Sequence, residues 1–161
     1  MGRIRLVAAL FGVSGLFGCA GYDFQRSGNP PPWAGYPCPG AGSDCAVPVT
    51  VKMAGTACEL KLVKESQHEL TMPSVQGPVV IEWALDDEAS KRRYEFRRGA
   101  FSLKRDSSDQ FDQGTPKDGR AFRLVNKHTN SGRFPYDLIV HSKDGSSPTP
   151  CKLDPFINNV N

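Results

Sequence analysis

A chain of 161 residues holds one β or mixed domain with its own core plus a modest appendage, and is short for two such domains. Its 20 basic and 17 acidic residues give a net charge of +3, and Arg3 and Arg5 lie in a segment read below as removable, which leaves 18 against 17. That near-balance excludes the electrostatic footprint of a nucleic-acid-binding protein, so no nucleic-acid partner is expected.

At the N-terminus, Arg3 and Arg5 precede an apolar stretch from Leu6 to Phe17, relieved only by Gly12, Ser14 and Gly15 and followed by Gly18-Cys19. A charged start, a short apolar core and a small-residue exit make a secretory signal, and the stretch is too short for a spanning helix. Leu16-Phe17-Gly18-Cys19 resembles the lipobox of bacterial lipoproteins, with leucine three before the cysteine and a small residue directly before it. The resemblance implies that residues 1–18 are removed and that Cys19 becomes an acylated, palmitate-bearing N-terminus. Each buried methylene of such a chain contributes about 0.8 kcal/mol, so several chains give stable membrane attachment. Ala20 stands where enteric lipoproteins kept in the inner membrane carry aspartate, which implies the outer membrane, facing the periplasm.

Residues 19–47 are dominated by Gly, Pro and Ser, including Pro30-Pro31-Pro32 and Pro37-Cys38-Pro39-Gly40. Such a segment reads as a semi-extended tether between lipid and domain. With Cys19 acylated, Cys38, Cys45, Cys58 and Cys151 remain in an oxidising compartment, and two disulfides are expected. Of three possible connectivities we favour Cys38 to Cys45 as a local clasp and Cys58 to Cys151 as a staple across the domain. Zinc is the competing account, but the close C-x-x-C spacing that presents two thiolates from one turn is missing.

From residue 48 to 161 the apolar period is two. Val47, Val49, Val51 and Met53 form one face, then Cys58, Leu60 and Leu62, then Val79, Ile81, Trp83 and Leu85, then Tyr94 and Phe96. Phe101 and Leu103, Phe122 and Leu124, and Tyr136, Leu138 and Val140 continue the series, with turn signals such as Ala54-Gly55-Thr56, Gly114 to Gly119 and Asn130-Ser131-Gly132 between them. Alternation of this kind places one face in a core and the other in water. The expectation is an all-β domain of about seven to eight strands, an antiparallel β-sandwich or small barrel, with one short helix over Asp86 to Arg93. The layout is immunoglobulin-like only in outline, because Trp83 follows Cys58 by twenty-five residues and a threonine, not a tyrosine, stands two before Cys151.

Catalytic chemistry finds little support. No Gly-x-Ser-x-Gly elbow occurs, the cysteines are committed to pairing, and His68, His128 and His141 are widely spaced. The loop with Asp106, Asp109, Asp112 and Asp118 has the composition of a calcium loop but lacks its glycine and bidentate glutamate. We therefore expect no enzyme, no metal and no cofactor.

The segment that stands out runs from Lys91 to Arg105 and holds Lys91, Arg92, Arg93, Arg97, Arg98, Lys104 and Arg105 against one acid, Glu95. With Tyr94 and Phe96 inward, Arg93 and Arg97 should project together, and a hairpin near Gly99 should bring Lys104 and Arg105 alongside. Guanidinium groups in such a patch suit carboxylates and phosphates; the competing account is an edge strand charged to resist aggregation. A membrane-anchored, non-enzymatic binding or scaffolding module of the cell envelope is the first expectation, its partner an envelope protein or an anionic envelope component. The second is an inhibitor or immunity lipoprotein that neutralises a periplasmic hydrolase or toxin. Asn130-Ser131-Gly132-Arg133-Phe134 resembles an element of periplasmic lysozyme-inhibitor lipoproteins, although it also reads as a plain turn.

Overall fold

The structure, a computed structural model, describes residues 36–38, 44–64, 69–72, 77–105, 109–147 and 149–160. The segment read as a signal (residues 1–18), Cys19 and the segment read as a tether up to residue 35 lie outside the described residues, as do His68 and Asp106.

In chain order the elements are β1 (Tyr36–Pro37), β2 (Cys45–Ala54), β3 (Ala57–Leu62), β4 (Glu69–Met72), β5 (Val79–Leu85), α1 (Glu88–Arg93), β6 (Tyr94–Glu95), β7 (Phe101–Leu103), β8 (Thr115–Lys117), β9 (Ala121–Asn126), β10 (Gly132–Ser142), β11 (Cys151–Leu153) and β12 (Phe156–Asn159). The fold is all-β, with one short helix among the described residues.

Two expectations need correction. Among the described residues twelve strands replace the seven to eight counted from the sequence, because alternation does not reveal where a strand breaks or how short a partner can be. The sheet is also mixed: β2 pairs with β5, β3 with β11, and β4 with both β1 and β12 in parallel, while the other ladders are antiparallel. Period-two patterning reports which face is buried and carries no information on the direction of the neighbour.

The long strand β10 organises the topology. Its first residues, Gly132 to Pro135, pair with β12, and Leu138 to Val140 pair with β11 in the same register. A hydrogen bond from the Tyr136 N–H to the Pro155 carbonyl, 3.1 Å, carries that register across the break. On its other edge β10 pairs with β7 through Tyr136 to Leu138 and with β6 through His141 and Ser142. From β3 the sheet continues through β2, β5 and β9 to β8. It folds back upon itself in the manner of a sandwich, since the Trp83 ring of β5 lies 5.4 Å from that of Tyr136 on β10 and 5.7 Å from that of Phe101 on β7.

Between the two faces lie Val47, Val49, Leu60, Ile81, Trp83, Leu85, Leu124, Tyr136, Leu138 and Val140, all buried. The alternation read from the sequence thus marks the core, although Cys58, Phe101 and Leu103 of the same series are only half-buried. Beyond Val49 strand β2 leaves it, so Val51 is half-buried and Met53 is 54% exposed.

Disulfides join Cys38 to Cys45 and Cys58 to Cys151, each with Cα atoms 5.0 Å apart. The second connects β3 to β11 across 93 positions of sequence. The first moves the boundary of the domain. Residues 19–47 read as tether, but Tyr36–Pro37 pairs with β4, and Cys45 and Val47 are buried in β2. Proline-rich composition concealed these residues, which the clasp and a Cys38 N–H bond to the Thr71 carbonyl tie to the sheet.

Candidate binding surface

The basic run begins on α1, whose position is set by its N-cap. The Asp87 carboxylate accepts hydrogen bonds from the Ser90 N–H at 2.8 Å, the Ser90 hydroxyl at 2.6 Å and the Thr50 hydroxyl at 2.5 Å. Ser90 Oγ in turn accepts from the Val51 N–H at 3.0 Å. Burial opposes the Asp87 charge, but the hydrogen bonds from Ser90 and Thr50 outweigh it and bring its pKa to about 2. An N-cap of this kind satisfies otherwise orphaned amides and here also fastens the helix to β2.

Lys91, Arg92 and Arg93 form the last turn of α1. Lys91 donates to Glu88 at 3.1 Å and draws that carboxyl below its usual value, with a smaller contribution from Arg92. Tyr94 and Phe96 are buried, as their spacing predicts. Arg97 is tied to Glu95 at 2.8 Å, while Arg98 sits exposed in the turn before Gly99, whose φ of 77° suits glycine. The side chains of Arg93 and Arg98 have no hydrogen-bond or ion-pair partner among the described residues.

The expected hairpin near Gly99 does not form. β6 and β7 both follow the same edge of β10, one after the other, and the turn between them is a looped-out interruption of one line of pairing. The Arg93 carbonyl accepts from the Lys143 N–H, whereas the Lys104 N–H donates to the Pro135 carbonyl. These points are eight residues apart on β10, about 26 Å at the rise of a strand. Lys104 and Arg105 therefore lie far from Arg93. Lys104 is also neutralised: its ammonium is hydrogen-bonded to Asp154 and lies 3.3 Å from Asp137, and these carboxylates raise its pKa. The positive site contracts to Arg93, Arg97 and Arg98, with Lys91 and Arg92 beside them.

Next to Arg98 opens a groove of about 820 Å³ that sequence reasoning did not anticipate. Its apolar lining comes from Phe101 and Leu103 of β7, Phe111, and Phe122 of β9, and its opposite wall from Asp112 to Thr115. This wall is an edge as well. Phe111 bridges Asn126, whereas Thr115 pairs with Arg123, so one extra residue is accommodated between them as a bulge. Gly114 occupies that bulge against the Phe122 ring; a Cβ there would stand 2.2 Å from Phe122 Cε1. The only sequence signal for this feature was the glycine.

A second feature lies beside the β9 to β10 connection. Gln110, Asn126 and Asn159 are buried and linked: Gln110 Nε2 donates to Asn126 Oδ1 at 2.5 Å, and Asn126 Nδ2 donates to Asn159 Oδ1 at 2.7 Å. They also bind the connecting loop, because the His128 N–H donates to Asn126 and the Asn130 N–H to Gln110. Isolated amide residues in polar sequence give no hint of such a network.

The remaining candidates are dispersed. His128 precedes β10 and His141 lies near its far end, opposite Glu95. Asp112 accepts from the Val125 N–H, and Asp118 turns between β8 and β9 with a φ of 52°. Among the described residues no group of three or more His, Cys, Asp and Glu side chains could hold a metal ion. Arg133 is bound to Glu69 at 2.7 Å and lies over the Phe156 ring at 4.3 Å, so the segment resembling an inhibitor element is built into the sheet. No helix among the described residues is long and apolar enough to cross a membrane.

No protein-family model matches this chain, and comparison with curated proteins returns no relative.

Proposed function

We propose that the protein is an outer-membrane lipoprotein, anchored through Cys19 and facing the periplasm, whose β domain binds or scaffolds an anionic partner in the cell envelope without catalysing a reaction. The observation that carries this reading is that Arg93 and Arg98 are exposed without an ion-pair partner among the described residues, Arg98 at the mouth of an open groove. Exposed guanidinium groups held by ordered backbone are suited to carboxylate or phosphate recognition. The signal features and the two disulfides support an exported location.

The test uses the acylated protein, crosslinked briefly in native envelopes and purified in detergent, beside Arg93→Gln/Arg97→Gln/Arg98→Gln. A defined partner that is retained by the wild type and lost by the equally stable variant supports the reading. Identical recovery from both removes the patch as an interface. Cys19→Ser released from the membrane fraction is the companion result expected for the anchor.

A further inference from the structure

We infer that the groove between β7 and the bulged edge leading into β8 accepts an extended segment of a partner protein as an added strand, with a carboxylate of that segment on Arg98. The inference rests on the binding-module reading above and gives it a ligand class.

On either side of β7 the Ala100 carbonyl accepts from the Ile139 N–H at 2.8 Å, and the Lys104 N–H donates to the Pro135 carbonyl at 3.0 Å. Antiparallel ladders alternate, so Ala100, Ser102 and Lys104 direct their backbone groups toward β10. The N–H and C=O groups of Phe101 and Leu103 consequently point the other way, toward the groove, and β10 is the only strand paired with β7 among the described residues. An unpaired row of this kind is a template for another chain. Polypeptides recognised by strand addition take their affinity from main-chain hydrogen bonds and their specificity from pockets for alternate side chains.

The side chains supply those pockets. Phe101 and Leu103 are only half-buried although their neighbours on β10 are fully buried, and Phe111 and Phe122 line the same depression. Apolar residues at every second position of an incoming strand would cover this surface. Charge then fixes the direction. Arg98 precedes β7 and carries no ion pair among the described residues, whereas Lys104, just after β7, is held by Asp137 and Asp154. A strand added antiparallel to β7 ends beside Arg98, so its carboxylate belongs at its C-terminal end.

The probes are blocked seven-residue peptides that alternate threonine and valine and end in glutamate, with a lysine-ended counterpart and one carrying N-methyl groups on alternate amides. NMR of the disulfide-intact domain from residue 20 onward follows binding. The expected result is slowed amide exchange and shift changes confined to β7 and residues 111–115, with at least tenfold weaker binding by the N-methylated peptide. Leu103→Pro removes an outward donor while sparing the ladder to β10 and should lose the glutamate-ended peptide, while Arg98→Gln should abolish the preference for glutamate over lysine. Absence of β7 perturbation by the glutamate-ended peptide overturns the inference, as does undiminished binding by a folded Leu103→Pro. An envelope partner kept by Leu103→Pro but lost by the triple arginine variant would remove strand addition and leave the binding-module reading standing. Peptide binding with no envelope partner dependent on the arginines would do the reverse.

Discussion

Trp83 Nε1 donates a hydrogen bond to the Tyr136 hydroxyl at 3.2 Å, and both side chains are completely buried. The bond ties β5 to β10 across the core and gives each aromatic ring a polar contact where water cannot serve. Tyr136→Phe would preserve the ring and strand the indole N–H, at a cost of about 1–3 kcal/mol. A lower urea midpoint with an unchanged slope is the expected outcome. Burial also pushes the Tyr136 phenol far above its ordinary value, with the Trp83 bond a weaker opposing influence, so it should titrate only as the protein unfolds in alkali.

The buried amides beside the β9 to β10 connection form one unit. Asn126→Ala would leave Gln110, Asn159 and the His128 N–H each short of a partner, and a loss of about 2–4 kcal/mol is expected from several unsatisfied buried groups. Hydrogen exchange should locate the damage, with protection lost first at His128 and Asn130. Uniform loss across the sheet would show that the network does not hold that loop in particular.

Asp87 predicts a defined acid limb. Its pKa falls from 3.8 to about 2 on folding, so its contribution is complete above pH 4 and is lost as pH falls through 2. Unfolding free energy measured between these limits should decline less steeply in Asp87→Asn than in the wild type. Parallel curves would mean that the carboxylate is not stabilised by Ser90 and Thr50 in solution.

The two disulfides should differ in weight. Opening Cys58 to Cys151 by paired alanine substitution releases a loop spanning 93 positions, and the chain-entropy account values this closure at about 4–5 kcal/mol. For Cys38 to Cys45, separated by seven positions, the corresponding figure is about 2 kcal/mol. Denaturant titration of the two double variants should preserve that order.

Several parts of this arrangement were legible in local pattern. Val79, Ile81, Trp83 and Leu85 announce a strand with one buried face, Asp87 to Arg93 a short helix, and the even set Cys38, Cys45, Cys58 and Cys151 a pair of bridges. The basic run was legible as composition only. Its supposed hairpin failed because Gly99 can turn a chain in more than one way, and the choice was made by β10, which offers one edge to both β6 and β7. Parallel pairing, the strand-like end of the tether and the amide network were equally hidden, since each depends on residues distant in sequence.

By itself the sequence determined the all-β class and the buried faces of the strands, because side-chain alternation is a local property of the chain. Tertiary structure alone decided which cations are neutralised, which strand edge lacks a partner among the described residues and where the groove opens. Ion pairing such as Lys104 with Asp154, and the outward row of Phe101 and Leu103, exist only when segments separated by tens of residues are brought within hydrogen-bonding distance.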